Sequence, residues 1–217
     1  EGNISFTTTK DGNLNGSLDT YYIRVYGTTS SSLSYRLTIK YTTAYAALNW
    51  QYPLPVGNTN VTSIVGYRTF DSSYHQGMDI SAELDTEVYA VSNATVIESN
   101  FHGSSDPNNR WGMGNFVSLY TNQASGDIDP ATGYPFVITY MHFNERLVET
   151  AGNNVVTVTK GTPIGKAGTT GGSYGVHLHI EIFSSQFEPS IYTAPGKSNA
   201  INPYEFYTNI SFITTPY

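Results

Sequence analysis

Apolar and polar residues alternate with a period of two in one segment after another of this chain, and that pattern commits it to sheets. Tyr21–Tyr26, Tyr35–Tyr41, Val61–Val65, Glu87–Val91, Phe116–Tyr120, Phe136–Tyr140 and Val155–Val158 all read as strands. Helical signals are scarce. Phe143–Thr150 is the one modest helix prediction, with Asn144 as its cap. Asn202–Phe206 is expected to form a short helical turn with Pro203 at its first position. The expected fold is therefore mainly β. A length of 217 residues suits one domain with an appendage. Residues 1–44 supply only two or three strands, too few to bury a core of their own. They are expected to be an N-terminal β segment, either accessory or the remnant of an upstream β-sandwich. Tyr45–Trp50 would join it to a domain spanning residues 45–217.

The histidines carry the chemistry. Four of the five fall in three short motifs: His75-Gln-Gly-Met-Asp79, Tyr140-Met-His142 and His177-Leu-His179. His75, Asp79 and one histidine of the last pair make a two-nitrogen, one-oxygen ligand set. Such a set leaves one tetrahedral position of a zinc ion open, as catalytic zinc sites do. In His177–Phe183 the alternation is that of a strand with one apolar face, so His177 and His179 share a face about 6.6 Å apart. His75 and Asp79 would stand about 13 Å apart if extended, too far to share an ion. The chain is expected to turn back between them at Gly77. Glu181 lies on the face of His179 by even spacing and is a candidate to orient a ligand ring, a surface carboxylate being the alternative. By the same spacing Tyr140 shares a face with His142 and is a candidate donor to the developing oxyanion. His102, in a polar loop, is expected to be solvated.

Charge narrows the partners. The net charge is −7 with no cluster of Lys or Arg, which disfavours nucleic acid. Charged residues are 12% of the chain, about half the usual ~25%. Tyr, Thr, Ser and Asn take their place, a style common among exported β-proteins. Cysteine is absent, so neither disulfides nor thiolate metal sites arise. No apolar run approaches the ~18–20 residues of a membrane span. The chain opens on Glu1, without initiator methionine or signal peptide, and is expected to be a mature or excised piece of a longer product.

The ordered motifs resemble those of the lysostaphin-type (LytM-like) zinc metallopeptidases. Tyr74–Ala82 is similar to that family's first motif, Trp111–Leu119 to its glycine-asparagine strand, and Tyr140–Phe143 to its tyrosine-x-histidine motif. Lys160–Gly171 leads into Gly175–Glu181 in the family's order, and Asn202-Pro203-Tyr204 is similar to its closing element. The resemblance covers roughly residues 45–207. It implies an antiparallel β catalytic domain of the lysostaphin/LytM type, duplicated hybrid motif-like. It implies one Zn2+ per chain, with His75, Asp79 and His179 as ligands and His142 and His177 as catalytic groups beside the water. The implied activity is that of a secreted or cell-envelope endopeptidase, cutting peptide bonds in peptidoglycan stem peptides or cross-bridges. The alternatives are a catalytically silent wall-binding or scaffolding module of the same fold, and a zinc hydrolase of another small substrate. Residues 101–114 and 121–136 look like insertions and are expected, with 169–176, to wall a groove over the zinc.

Overall fold

The computed structural model describes residues 44–68, 72–121, 127–150, 155–185, 200–207 and 213–214. The strands expected at Tyr21–Tyr26 and Tyr35–Tyr41 lie outside the described residues. Every described element belongs to the unit Tyr41–Tyr217.

Within it run thirteen described strands: β1 (Asn60–Ser63), β2 (Gly66–Arg68), β3 (Ser73–His75), β4 (Met78–Ser81), β5 (Glu87–Tyr89), β6 (Ala94–Asp106), β7 (Asn109–Tyr120), β8 (Phe136–Phe143), β9 (Glu145–Arg146), β10 (Val156–Val158), β11 (Pro163–Lys166), β12 (His177–Ser184) and β13 (Ile213–Thr214). Eight of them form one sheet in the order β10-β6-β7-β8-β12-β4-β1-β13. Its pairings are antiparallel except β1 with β13. Strands β5, β11 and β9 make a second, smaller sheet, and β2 with β3 a two-stranded ribbon.

Alternation sorts the central strands into two faces. Met78 and Ile80 of β4, Ile138 and Tyr140 of β8, and Leu178, Ile180 and Ile182 of β12 are fully buried in the core. Val88 and Ile164 of the small sheet pack into the same core. Trp50, Phe136 and Phe206 close one end, with Trp50 stacked on Phe206 at 4.3 Å. The intervening residues, Asp79, Thr139, Met141, His177, His179 and Glu181, therefore face the other way. Register brings them together, with His179 opposite both Asp79 and Met141.

Asn202 caps the 3-10 turn Pro203–Phe206, its side chain accepting from the Tyr204 amide at 3.2 Å, as the sequence predicts. The helix predicted over Phe143–Thr150 does not form. Glu145 and Arg146 instead pair with Lys166 and Gly165, and the Asn144 amide donates to the Lys166 carbonyl at 2.8 Å. A free strand edge overrides a weak helical propensity there.

The two insertions part company. Residues 101–114 are no loop. They extend β6 and β7 into a long hairpin whose far end bonds to the segment after Gly168. The described part of 121–136 leads into Phe136, which pairs with Ser184. His142 lies at the opposite end of β8, about 20 Å of extended strand away. The described residues of that stretch, 121 and 127–136, are not a wall over the histidines; residues 122–126 lie outside the described residues.

Candidate metal centre

Four side chains from three strands meet at one carboxylate oxygen. Asp79 Oδ1 is 2.7 Å from His179 Nδ1, 3.2 Å from His75 Nε2 and 3.6 Å from His177 Nε2. His75 Nε2 and His179 Nδ1 are themselves 3.1 Å apart. His75 arrives at the end of β3, Asp79 from β4 and the other two from β12. The side chains of His75 and His179 are nearly buried and that of His177 is one-fifth exposed.

The return of the chain between His75 and Asp79 needs no left-handed residue. Gly77 is required for room instead. A Cβ there would sit 2.5 Å from the Ile180 carbonyl oxygen and 2.7 Å from His179 Nε2. Gly77→Ala should therefore displace the His179 ring. The expected result is a folded protein that takes up less metal at this candidate site than the parent, read by elemental analysis after metal loading beside circular dichroism. Full metal content in the variant would contradict this.

Hydrogen bonds fix which ring nitrogens carry protons, because a carbonyl or carboxylate can only accept. His75 Nδ1 donates to the Ile64 carbonyl at 3.0 Å, leaving Nε2 bare. His179 Nε2 donates to Glu181 at 3.1 Å, so Nδ1 is the atom turned on Asp79. Two imidazole nitrogens and a carboxylate oxygen thus crowd within 3.2 Å. Three lone pairs repel unless a positive charge sits among them. In the metal-free protein that charge is a proton on His179. Burial pushes His179 down, but hydrogen bonds and charge from Asp79 and Glu181 outweigh it and raise it to about 9. Burial likewise pushes Asp79 up, and the bonds from His179 and His75 hold its carboxyl well below the usual carboxylate range.

The same spacing could also hold a divalent ion. The ligand atoms of a tetrahedral zinc at ~2.0–2.1 Å lie about 3.3 Å from one another, close to the observed spacing. His75, Asp79 and His179 form a grouping whose donor atoms all lie within 4.8 Å, with the second nitrogens of both imidazoles already anchored.

His142 reaches this face by breaking the alternation of β8. Its φ is +66°, a left-handed backbone that flips the phase after Met141, so Phe143 rejoins the core. Tyr140 stays on the core side. It is fully buried and its hydroxyl accepts from the Val91 amide at 3.1 Å, so the expectation that it shares a face with His142 fails. The His142 ring centroid lies 5.1 Å from that of His177 and 5.8 Å from that of His179. His142 Nδ1 donates to the Thr170 carbonyl and His177 Nδ1 to the Gly175 carbonyl, both at 2.8 Å. Each Nε2 is then a bare lone pair. Burial, then the charges of His179 and His177, push His142 down to about 3. Burial lowers His177 too, with Asp79 opposing. Both rings are neutral bases at neutral pH.

Three groups with no signal in the sequence complete the site. Arg68 donates to Asp79 Oδ2 at 2.7 Å and to Ser63 Oγ at 3.0 Å, and Ser63 Oγ lies 3.0 Å from His75 Nδ1. Arg110, at the hairpin end, donates to the carbonyls of Thr169 and Ser173 at 2.6 and 3.0 Å. It clamps the loop whose carbonyls orient His142 and His177. His102 is not in a solvated loop as expected: it lies half-buried on β6, edge-on to Trp111 at 5.3 Å, and belongs neither to the His75, Asp79 and His179 grouping nor to a second grouping of possible ligands, His142, His177 and His179.

Residues 73–203 match the model of Peptidase family M23. No curated protein matches the sequence. The antimicrobial peptidase lysostaphin from Staphylococcus simulans is similar in structure, with a TM-score of 0.50 and 24% identity over 69% of this chain and 49% of that one. This chain thus matches about half of that protein's length. The solution structure of lysostaphin gives a TM-score of 0.50 at 22% identity over 80% of this chain and 58% of that one. LytU gives 0.50 at 17% over 73% and 91%. These likenesses concern the fold, a largely antiparallel β architecture.

Proposed function

Because the chain belongs to peptidase family M23, we propose that it is a zinc-dependent endopeptidase that hydrolyses peptide bonds in bacterial peptidoglycan, in stem peptides or cross-bridges. The observation that carries the reading is the meeting of His75 Nε2, Asp79 Oδ1 and His179 Nδ1 within 3.2 Å, their other ring protons committed elsewhere. These three residues would hold the ion. When bound, zinc supplies Lewis acidity, polarising a carbonyl and lowering the pKa of water toward neutrality.

The chain's own groups supply the rest. His177 and His142 present Nε2 lone pairs, suited to taking a proton from the attacking water and returning it to the leaving amine. The Thr170 and Gly175 carbonyls keep both rings in that tautomer. The hairpin end and the loop after Gly168 make one wall beside these rings. Gly171 and Gly172 donate to Ser105 Oγ and the Gly112 carbonyl at 2.9 and 2.8 Å. A wall of glycines and small polar residues suits an extended peptide with small side chains. The site of action is the cell envelope or the medium outside it.

Purified cell walls give the test. Metal-stripped protein should not clear them, and protein reloaded with one equivalent of zinc should. Equal clearing by both, or none by the reloaded protein on any wall type, would contradict the reading.

Residues 1–44 are proposed to be auxiliary. They contain no His or Cys to serve as a ligand, and Tyr21–Tyr26 carries large residues at both odd and even positions. Such a segment seeks cover rather than a metal. Deleting it should lower solubility or stability and leave zinc binding and basal hydrolysis intact. A severalfold rise in activity on deletion would mean the segment inhibits.

A further inference from the structure

The two oxygens of Asp79 lead different lives. Oδ1 faces the three imidazole nitrogens, whereas Oδ2 accepts from Arg68 Nη2 at 2.7 Å. A carboxylate with both oxygens free can close on an ion through either or both. One oxygen held by a guanidinium can offer only the other. The same guanidinium has a second arm. Arg68 Nε donates to Ser63 Oγ at 3.0 Å, and that oxygen lies 3.0 Å from His75 Nδ1.

The fold explains how Arg68 comes to be there. In the β2–β3 ribbon Gly66 stands opposite His75 and Arg68 opposite Ser73. Facing residues share a side of an antiparallel pair, and so do residues two apart, so Arg68 and His75 point the same way. Gly66, with no side chain, leaves the space between them open. One cation therefore spans two of the three ligand residues, contributed by different strands. The side chain of Arg68 is only 22% exposed, so this bridge is partly shielded from water.

We infer that Arg68 is a positioning residue that restricts Asp79 to one-oxygen ligation and ties it to His75 through Ser63. The inference rests on the zinc site proposed above. Ligation through one oxygen keeps the ion at three protein contacts and preserves an open position for water and substrate. Ligation through both would add a fourth protein contact beside the water, raise the coordination number to five and weaken the Lewis acid.

Cobalt(II) substitution reads coordination number directly, because geometry governs its visible absorption. The parent protein should take up one cobalt with the intense absorption of a four-coordinate ion. Arg68→Gln should still take up one, with the weaker absorption of a higher coordination number and a zinc affinity lower by about tenfold or more in chelator competition. Ser63→Ala, which removes only the second arm, should keep the parent's cobalt spectrum. Should Arg68→Gln fail to fold, Arg68→Lys carries the test. It keeps a cation but not the fork, and its spectrum should fall between parent and five-coordinate. A folded Arg68→Gln with the parent's cobalt spectrum overturns the inference whatever its affinity, and leaves the zinc reading standing. A parent that takes up neither cobalt nor zinc overturns both.

Discussion

His179→Ala should lose its zinc and all turnover with it, whereas His177→Ala should keep its zinc and lose turnover by about 10²- to 10⁴-fold. The two residues share one face of β12, opposite Asp79 and Ser81. Their ring environments separate them. His179 Nδ1 lies 2.7 Å from Asp79 Oδ1, with its other nitrogen anchored to Glu181. His177 Nε2 stands back at 3.6 Å, while its Nδ1–H donates to the Gly175 carbonyl. His142→Ala should behave like His177→Ala. Elemental analysis beside kcat on a defined peptide decides the matter. A His177→Ala protein stripped of metal like His179→Ala would mean the ligand assignment within the pair is wrong.

Zinc affinity should climb about tenfold per pH unit between about pH 7 and 9 and level off above. The sign follows from where the proton sits. In the metal-free protein His179 is raised to about 9 by Asp79 and Glu181, against burial, so below that pH the site holds a proton the ion must displace. Asp79, held far below the usual range, brings no proton into this window. His142 and His177, both lowered, bring none either. Chelator competition at stepped pH, corrected for the chelator's own protonation, measures the slope. A flat profile across this window would mean that metal and proton do not compete for His179.

Much of the site was legible because strands convert spacing into direction. Even spacing puts His177, His179 and Glu181 on one face, and the structure sets Glu181 3.1 Å from His179. The same rule misplaces Tyr140. It assumes unbroken alternation, and the left-handed backbone at His142 breaks it. Nothing in Tyr140–Phe143 announces that flip. It comes from the bulge where β7 passes Asn115, and from Thr170, whose amide and carbonyl both meet His142. Arg68 and Arg110 were illegible for a related reason. Each acts on residues from other strands or loops, Arg68 on Asp79 and Arg110 on Thr169, and only the folded register brings them there. The helix predicted at Phe143–Thr150 failed because Gly165 and Lys166 offer a strand edge that the local sequence does not reveal. Gly77 was legible as a necessary glycine, though the need is space beside His179 rather than a turn.

The most direct measurement is mass spectrometry of the fragments released from chemically defined peptidoglycan by zinc-loaded protein, with His177→Ala as control. New amino and carboxyl termini should appear within the peptide portion, with glycan strands left intact and release by the control lower by about a hundredfold or more. Cleavage confined to the glycan, or equal release by His177→Ala, would contradict this.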